Sequence, residues 1–203
     1  MTRMRIITRT LTAAALLAAT SCSSTVRAGS SPMFLVIDSL QGIAGGTTAG
    51  SPSATLFSDV LSLVSSGFDS NGNSCQAPNP PCRVRFNDNG QAVLELAKKD
   101  VTSTTAPTTN NQVTITRIHV HFHPANGPVP ADFDQSVTAT VPATGTVTMA
   151  FELVQSSAKA ALGLDSGGQT STAADVTFIG TDQVGNAISV TGSVQIEFSN
   201  FAG

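Results

Sequence analysis

Tryptophan and tyrosine are absent from this chain of 203 residues, and ten phenylalanines are all it has in their place. An exposed stacking platform for sugars or bases usually draws on Trp or Tyr, so such a surface lacks its main ingredient. Charge is scarce too: 11% of residues are charged, against about 25% in an ordinary globular chain. Ten Lys and Arg are too few for a nucleic-acid binder working through a basic patch. A net charge of −3 excludes a charge-driven disordered chain. No apolar run reaches the roughly eighteen residues of a membrane-spanning helix. The glycine-rich stretch Gly42–Gly50 has no Gly-Lys-Ser/Thr ending, so it is no phosphate loop. There is no Gly-x-Ser-x-Gly elbow, and with all histidines in one run a Ser-His-Asp triad has no support. No internal repeat is evident. What remains is a chain with 40% apolar residues, of a length that suits one domain with a sizeable core.

The first residues read as an address. Arg3, Arg5 and Arg9 precede the apolar stretch Leu11–Ala19, and no acid occurs before Asp38. That is the pattern of a secretory signal, too short to span a bilayer. Ala19-Thr20-Ser21-Cys22 resembles the lipobox of bacterial lipoproteins, with Ala19 where the pattern usually has Leu. The resemblance implies that residues 1–21 are a signal peptide and that Cys22 is the lipid attachment site and mature N-terminus. Ser23 in the next position implies the outer membrane of a diderm cell, facing the periplasm or the cell surface. Acyl chains, at about 0.8 kcal/mol per buried CH₂, would give stable membrane attachment. The rival exit is Val26-Arg27-Ala28, an ordinary cleavage site whose use would release a soluble secreted protein. Residues 22–32 read as a flexible tether and 33–203 as one β-sandwich domain. After Cys22, seven basic residues face thirteen acids, a net charge of −6. That balance argues against electrostatic attachment to anionic lipid.

The chain has three cysteines. Assigning Cys22 to lipid, or removing it with the leader, leaves Cys75 and Cys82, separated by QAPNPP. An exported compartment permits a disulfide between them. Closing so short a loop stabilises by about 2.5 kcal/mol in the chain-entropy model, less where Pro78, Pro80 and Pro81 already stiffen it. No CxxC spacing and no nearby His support a metal at this pair.

Apolar period decides the fold class. Ile188, Val190, Val194, Ile196 and Phe198 alternate with Ser189, Thr191, Ser193, Gln195 and Glu197. Residues two apart share a face of a strand, so this segment has one buried and one wet face. Val147, Met149, Phe151 and Leu153 repeat the pattern, and Val137, Ala139 and Val141 follow it too. Clean alternation marks an antiparallel sheet with one solvated face. Met33–Leu40 and Gln112–His123 read as further strands. Asn87-Asp88-Asn89-Gly90 is the turn of an expected hairpin between 83–86 and 91–98. Leu56, Phe57, Val60, Leu61 and Val64 fall at helical spacing, with a strand as the alternative. Ser156–Leu164 reads as a short helix or turn, and Asp100–Asn111, rich in Thr, as a mobile surface loop.

Asp182-Gln183-Val184-Gly185-Asn186 is expected to join Val176–Thr181 to the last strand. This Thr-Asp-x-x-Gly-Asn hairpin and its alternating strand resemble the closing hairpin of bacterial immunoglobulin-like domains. With the remaining strands, the resemblance implies an all-β, antiparallel immunoglobulin-like sandwich of about eight strands with one or two short helices.

All three histidines, His119, His121 and His123, lie in HVHFHP. On a strand they share a face, with Ile118, Val120 and Phe122 on the other, and neighbours along it stand about 6.7 Å apart. Two imidazoles at that spacing can converge on one Zn²⁺ or other transition metal with bonds of about 2.0–2.1 Å. A carboxylate such as Asp132 or Asp134 is the nearest third ligand in sequence. A solvated strand face accounts for the same alternation without any metal or other cofactor. Asp69-Ser70-Asn71-Gly72-Asn73 resembles the start of a Ca²⁺ loop but lacks the later glycine and glutamate, so it reads as a plain turn. The expectation is therefore a non-enzymatic envelope lipoprotein with no catalytic residues. It would meet a membrane through its lipid and an unknown envelope protein or surface ligand through its sandwich, and would bind no nucleic acid. The alternative is a metal-binding envelope protein built on the His119/His121/His123 strand.

Overall fold

Alternation of apolar and polar side chains, the rule read along the last strand, governs most of the structure. The computed structural model describes residues 31–46, 48, 50–69, 72–124 and 127–201. The signal segment, Cys22, Ala28 and residues 22–30 of the tether lie outside the described residues.

Among the described residues, ten strands and one α-helix follow in chain order, with a 3-10 turn at Thr109–Asn111 between the fifth and sixth strands. They are β1 (Met33–Ile43), β2 (Thr55–Asp59), β3 (Ser62–Val64), β4 (Cys82–Val84), β5 (Asp88–Lys98), β6 (Val113–Phe122), β7 (Phe133–Val141), β8 (Thr146–Val154), α1 (Ser156–Ala161), β9 (Gln169–Asp182) and β10 (Ala187–Ser199). The protein is all-β. A three-stranded sheet, β1-β5-β8, packs on a five-stranded sheet, β2-β10-β9-β6-β7, while β3 and β4 form a separate ribbon. Neighbours run antiparallel, except that β2 lies parallel to β10. In β10, Val194, Ile196 and Phe198 are buried and their neighbours exposed, as the alternation requires. In β8, Met149, Phe151 and Leu153 point into the core. The Phe151 ring meets Phe178 of the other sheet edge to face, with centroids 5.6 Å apart.

Both margins of the sandwich are tied across. At one margin the Gln135 amide of β7 acts as a substitute strand: Nε2 donates to the Glu152 carbonyl at 2.7 Å, and Oε1 accepts from the Glu152 N–H at 3.1 Å. At the other, Gly42 and Ser53 exchange both backbone hydrogen bonds, at 2.8 and 2.9 Å. These contacts satisfy backbone groups that bare edge strands would offer to other chains.

Two local expectations are corrected. The segment at helical spacing is β2 and β3, because a bend between two short strands, with Val60 and Leu61 buried at it, imitates a helical period. The expected hairpin after 83–86 does not form. Arg83 and Val84 pair with Leu63 and Ser62 of β3, and β5 pairs instead with β1 and β8. The turn-like residues have other work. Asn87 Oδ1 accepts the N–H of Ser156 at the start of α1, at 2.7 Å. Asp88 is buried, and Gly90 lies under the Phe151 ring.

Other expectations hold. Cys75 and Cys82 form a disulfide, with an S–S distance of 1.98 Å. Asp182–Asn186 closes the β9–β10 hairpin: Asp182 Oδ1 accepts the N–H groups of Val184 and Asn186, and Asn186 Nδ2 donates to Oδ2. Asp69 and Asn73 close a turn with bonds of the same kind. The Asn73 N–H and Nδ2 donate to Asp69 at 2.7 and 3.0 Å, and Gly72 has φ +80° where Gly185 has +90°. The Thr-rich loop lies on the surface, where Lys98 Nζ donates to the carbonyls of Ser103 and Thr105.

The single described α-helix is α1, and it carries the fully buried Lys159. Its Nζ lies 2.9 Å from Asp88 Oδ2 and donates to the Asp59 carbonyl at 3.0 Å. Ser58 Oγ donates to Asp88 Oδ2 at 2.6 Å, and the Gly45 N–H to Oδ1 at 2.8 Å.

Gln135→Ala should lower unfolding free energy by about 1–2 kcal/mol, the net value of its two hydrogen bonds. The measurement is the urea midpoint at unchanged slope. An unmoved midpoint would show that packing alone holds this margin together.

Candidate functional site

The histidine run lies on β6, where one extra residue decides which way it faces. Val113 and Ile115 are buried, and so are Ile118, Val120 and Phe122. The inward phase changes because the β6–β9 register passes from Ile115↔Gly180 directly to Arg117↔Ile179, leaving Thr116 as a bulge. A strand without it would turn the odd-numbered residues, including the histidines, into the core. Gly180 makes the bulge sterically acceptable: a Cβ there would stand 2.2 Å from the Thr114 carbonyl oxygen. The histidines therefore emerge on the outer face of the five-stranded sheet, their side chains between 38% and 47% exposed.

Each imidazole has its own carboxylate. His119 Nδ1 lies 3.2 Å from Asp134 Oδ1, and His121 Nδ1 lies 2.6 Å from Asp132 Oδ2. His123 Nε2 lies 2.9 Å from Asp175 Oδ2. With the aspartates ionised, the ring N–H donates in each pair. Asp134 comes from β7, opposite His119 in register, and Asp175 comes from β9, opposite His121. Asp132 precedes β7, and its Oδ1 accepts the N–H of Phe122 at 2.9 Å. Arg117 Nε approaches Asp134 at 3.8 Å. Ser193 of β10 donates to the other oxygen of Asp175. The strand ladder continues past β6 through the His123 N–H, which donates to the Ala173 carbonyl, while Thr172 Oγ1 donates to the His123 carbonyl at 2.6 Å.

The electrostatics follow from these contacts. The hydrogen bond from His121 holds the Asp132 carboxyl below its ordinary value, against partial desolvation and with help from the Phe122 N–H. The Ser193 hydroxyl is the largest influence lowering Asp175, with His123 adding to it.

The sequence-derived residues are thus all near one another, but not as one donor set. Asp132 and Asp134 serve different histidines. The His121 and His123 rings approach to 5.2 Å between centroids. Among the described residues no three His, Cys, Asp or Glu side chains converge as metal ligands. Sequence reading missed Asp175 and Ser193, although outward alternation along β9 and β10 was the signal for both. Beside His123 a shallow groove opens, lined by Pro124, Gln169, Ser171, Thr172 and Gln195. Its side chains are neutral and mostly polar. The Cys75–Cys82 disulfide is not part of this site; Cys82 lies in the β3–β4 ribbon.

No known protein family matches the chain, and no curated protein or solved structure is detectably similar to it.

Asp132 and Asp175 have folded-state values lower than in the unfolded chain, so their contribution is present above the unfolded value. It is lost as pH falls from about 4 through the lowered values. Stability measured by thermal melting should therefore drop across that acid limb, and Asp132→Asn with Asp175→Asn should flatten it. An acid limb of the same steepness in the double variant would assign it to other carboxylates.

Proposed function

We propose that this chain is a non-enzymatic protein of the cell envelope: an exported immunoglobulin-like β-sandwich, anchored by lipid on Cys22, that meets an envelope protein or surface ligand through its polar sheet face. The observation that carries this reading is the Cys75–Cys82 disulfide. Disulfides persist in oxidising compartments outside the cytoplasm, which agrees with a leader of arginines, a short apolar core and a cysteine in lipobox position. With two cysteines bonded to each other, Cys22 is the one left for a separate role. The immunoglobulin-like assignment rests on the Asp182–Asn186 hairpin and the alternating strand after it. The contact surface would be the outer face of the five-stranded sheet, where the His–Asp pairs stand beside Thr177, Thr191 and Ser193.

The leading test is metabolic labelling with a palmitate analogue, which should mark the natural chain and not Cys22→Ser. An unlabelled natural chain whose mature form begins at Gly29 would establish ordinary secretion and remove the anchor.

A second reading, a transition-metal protein, has the short approach of the His121 and His123 rings in its favour. The carboxylates on Nδ1 of His121 and Nε2 of His123 would then orient the rings from behind, as in carboxylate–histidine–metal arrangements. Untagged protein, assayed for zinc, copper and nickel, should carry stoichiometric metal if this is correct, and His121→Ala should abolish metal-induced stabilisation. Sub-stoichiometric metal with no change in melting on adding these ions discards it.

A further inference from the structure

Lys159 and Asp88 place an amine and a carboxyl group against each other in a core that excludes water. Both side chains are fully buried, with Nζ 2.9 Å from Oδ2. Removing two opposite charges from water is costly, and transfer of one proton across the 2.9 Å contact turns ammonium and carboxylate into a free amine and a carboxylic acid. Burial pushes the Asp88 carboxyl up, against the downward pull of the Lys159 charge and of the hydrogen bonds from Lys159, Ser58 and Gly45. A free amine is a nucleophile, and a protonated carboxyl group can lose water. These are the two forms that condense.

The surroundings match what condensation requires. The Gly45 N–H points at Asp88 Oδ1, the oxygen on which charge would develop, at 2.8 Å. A backbone donor so placed stabilises an oxyanion. Ser58 Oγ lies 2.6 Å from Oδ2 and can pass a proton to it. The Asp59 carbonyl accepts from Nζ at 3.0 Å. Held contact between reacting groups is equivalent to an effective concentration of about 10⁵–10⁸ M.

We propose that Lys159 and Asp88 become joined by an intramolecular amide, an isopeptide bond between α1 and β5. The Nζ lone pair attacks Asp88 Cγ and forms the N–C bond, while the C=O π pair moves onto Oδ1 under the Gly45 N–H. One Nζ proton passes through the Ser58 hydroxyl to the Oδ2 hydroxyl. The Cγ–Oδ2 bond then breaks, Oδ2 leaves as water, and the pair on Oδ1 returns to form the amide carbonyl. One C–O and one N–H bond are lost, one C–N and one O–H bond are made, and no oxidant or other reactant is needed. Both polar groups of the product already have partners. The amide N–H keeps the Asp59 carbonyl, and the amide oxygen keeps the Gly45 N–H. The reaction replaces two buried charges by a neutral, hydrogen-bonded group. It also ties covalently the chain segment from β5 to α1, which includes strands of both sheets.

The test is trypsin digestion of the purified, denatured and reduced full chain, read by mass spectrometry. The bond blocks cleavage after Lys159 and links the peptide containing Asp88 to the one beginning at Ile118, with a combined mass lower by one water. Fragmentation of that species should place the link at Lys159 and Asp88, and Lys159→Arg should yield two separate peptides. A free peptide ending at Lys159, with the Asp88 peptide at full mass, shows an ion pair only and overturns the proposal. So does a link that survives in Lys159→Arg or that fragmentation places at another pair.

Discussion

The contact between Lys159 and Asp88 is the fastening on which the two sheets depend. Asp88 opens β5 in the three-stranded sheet, whereas Ser58 and Asp59, which bond to the same pair, belong to β2 of the five-stranded sheet. Gly45 brings in the segment between β1 and β2. Four parts of the chain meet at one buried carboxylate and one buried amine. Helices as short as α1 are marginal by themselves. This one is held by Asn87 at its start and by its lysine inside the core. Loss of one member of such a pair usually costs about 3–5 kcal/mol, because the other is left charged and unpaired in the interior. The site therefore tolerates both groups or neither, and that constraint fixes how β5, β2 and α1 sit together.

A second constraint acts on the outer surface. The bulge at Thr116 changes which residues of β6 face inward, and Gly180 leaves the room it needs. One residue of local irregularity thereby converts a possible row of buried imidazoles into a wet strip. Burying three imidazoles would have required partners inside the sandwich. On the surface they find aspartates from the approach to β7, from β7 and from β9. Sheet register, not a loop, positions two of these pairs.

The strands and hairpins that obey simple alternation were legible in the sequence: β8, β10, the turn at Asp182–Asn186 and the outward face of the histidines all lie where period and turn chemistry put them. The disulfide followed from counting cysteines. The failures have physical causes. Phe57 projects from an edge strand and is 53% exposed, so its place in an apparent helical stripe said nothing about burial. Asn87-Asp88-Asn89-Gly90 has ideal turn chemistry, yet a buried lysine about seventy residues later in the chain claims its aspartate. No local pattern carries that information, because it arises from packing between elements distant in sequence. Asp175 escaped for a smaller reason: its strand begins at Gln169, several residues earlier than the run of large apolar residues suggests.

The strip's arrangement bears on what it can recognise. Three imidazoles, three carboxylates and Arg117 interleave along neighbouring strands, so positive and negative groups alternate over short distances instead of gathering by sign. Such a face produces little long-range field and does not steer charged partners from afar. In the proposed role, selectivity would come from contact, through groups at fixed spacing on the sheet. An arriving ion would have to use ring nitrogens turned away from the aspartates, whereas a protein or polysaccharide surface can add hydrogen bonds to the carboxylates, hydroxyls and rings without breaking a pair. Under the proposed binding role, this strip suits an extended polar partner better than a small ion, because the sheet supplies every histidine with a carboxylate of its own.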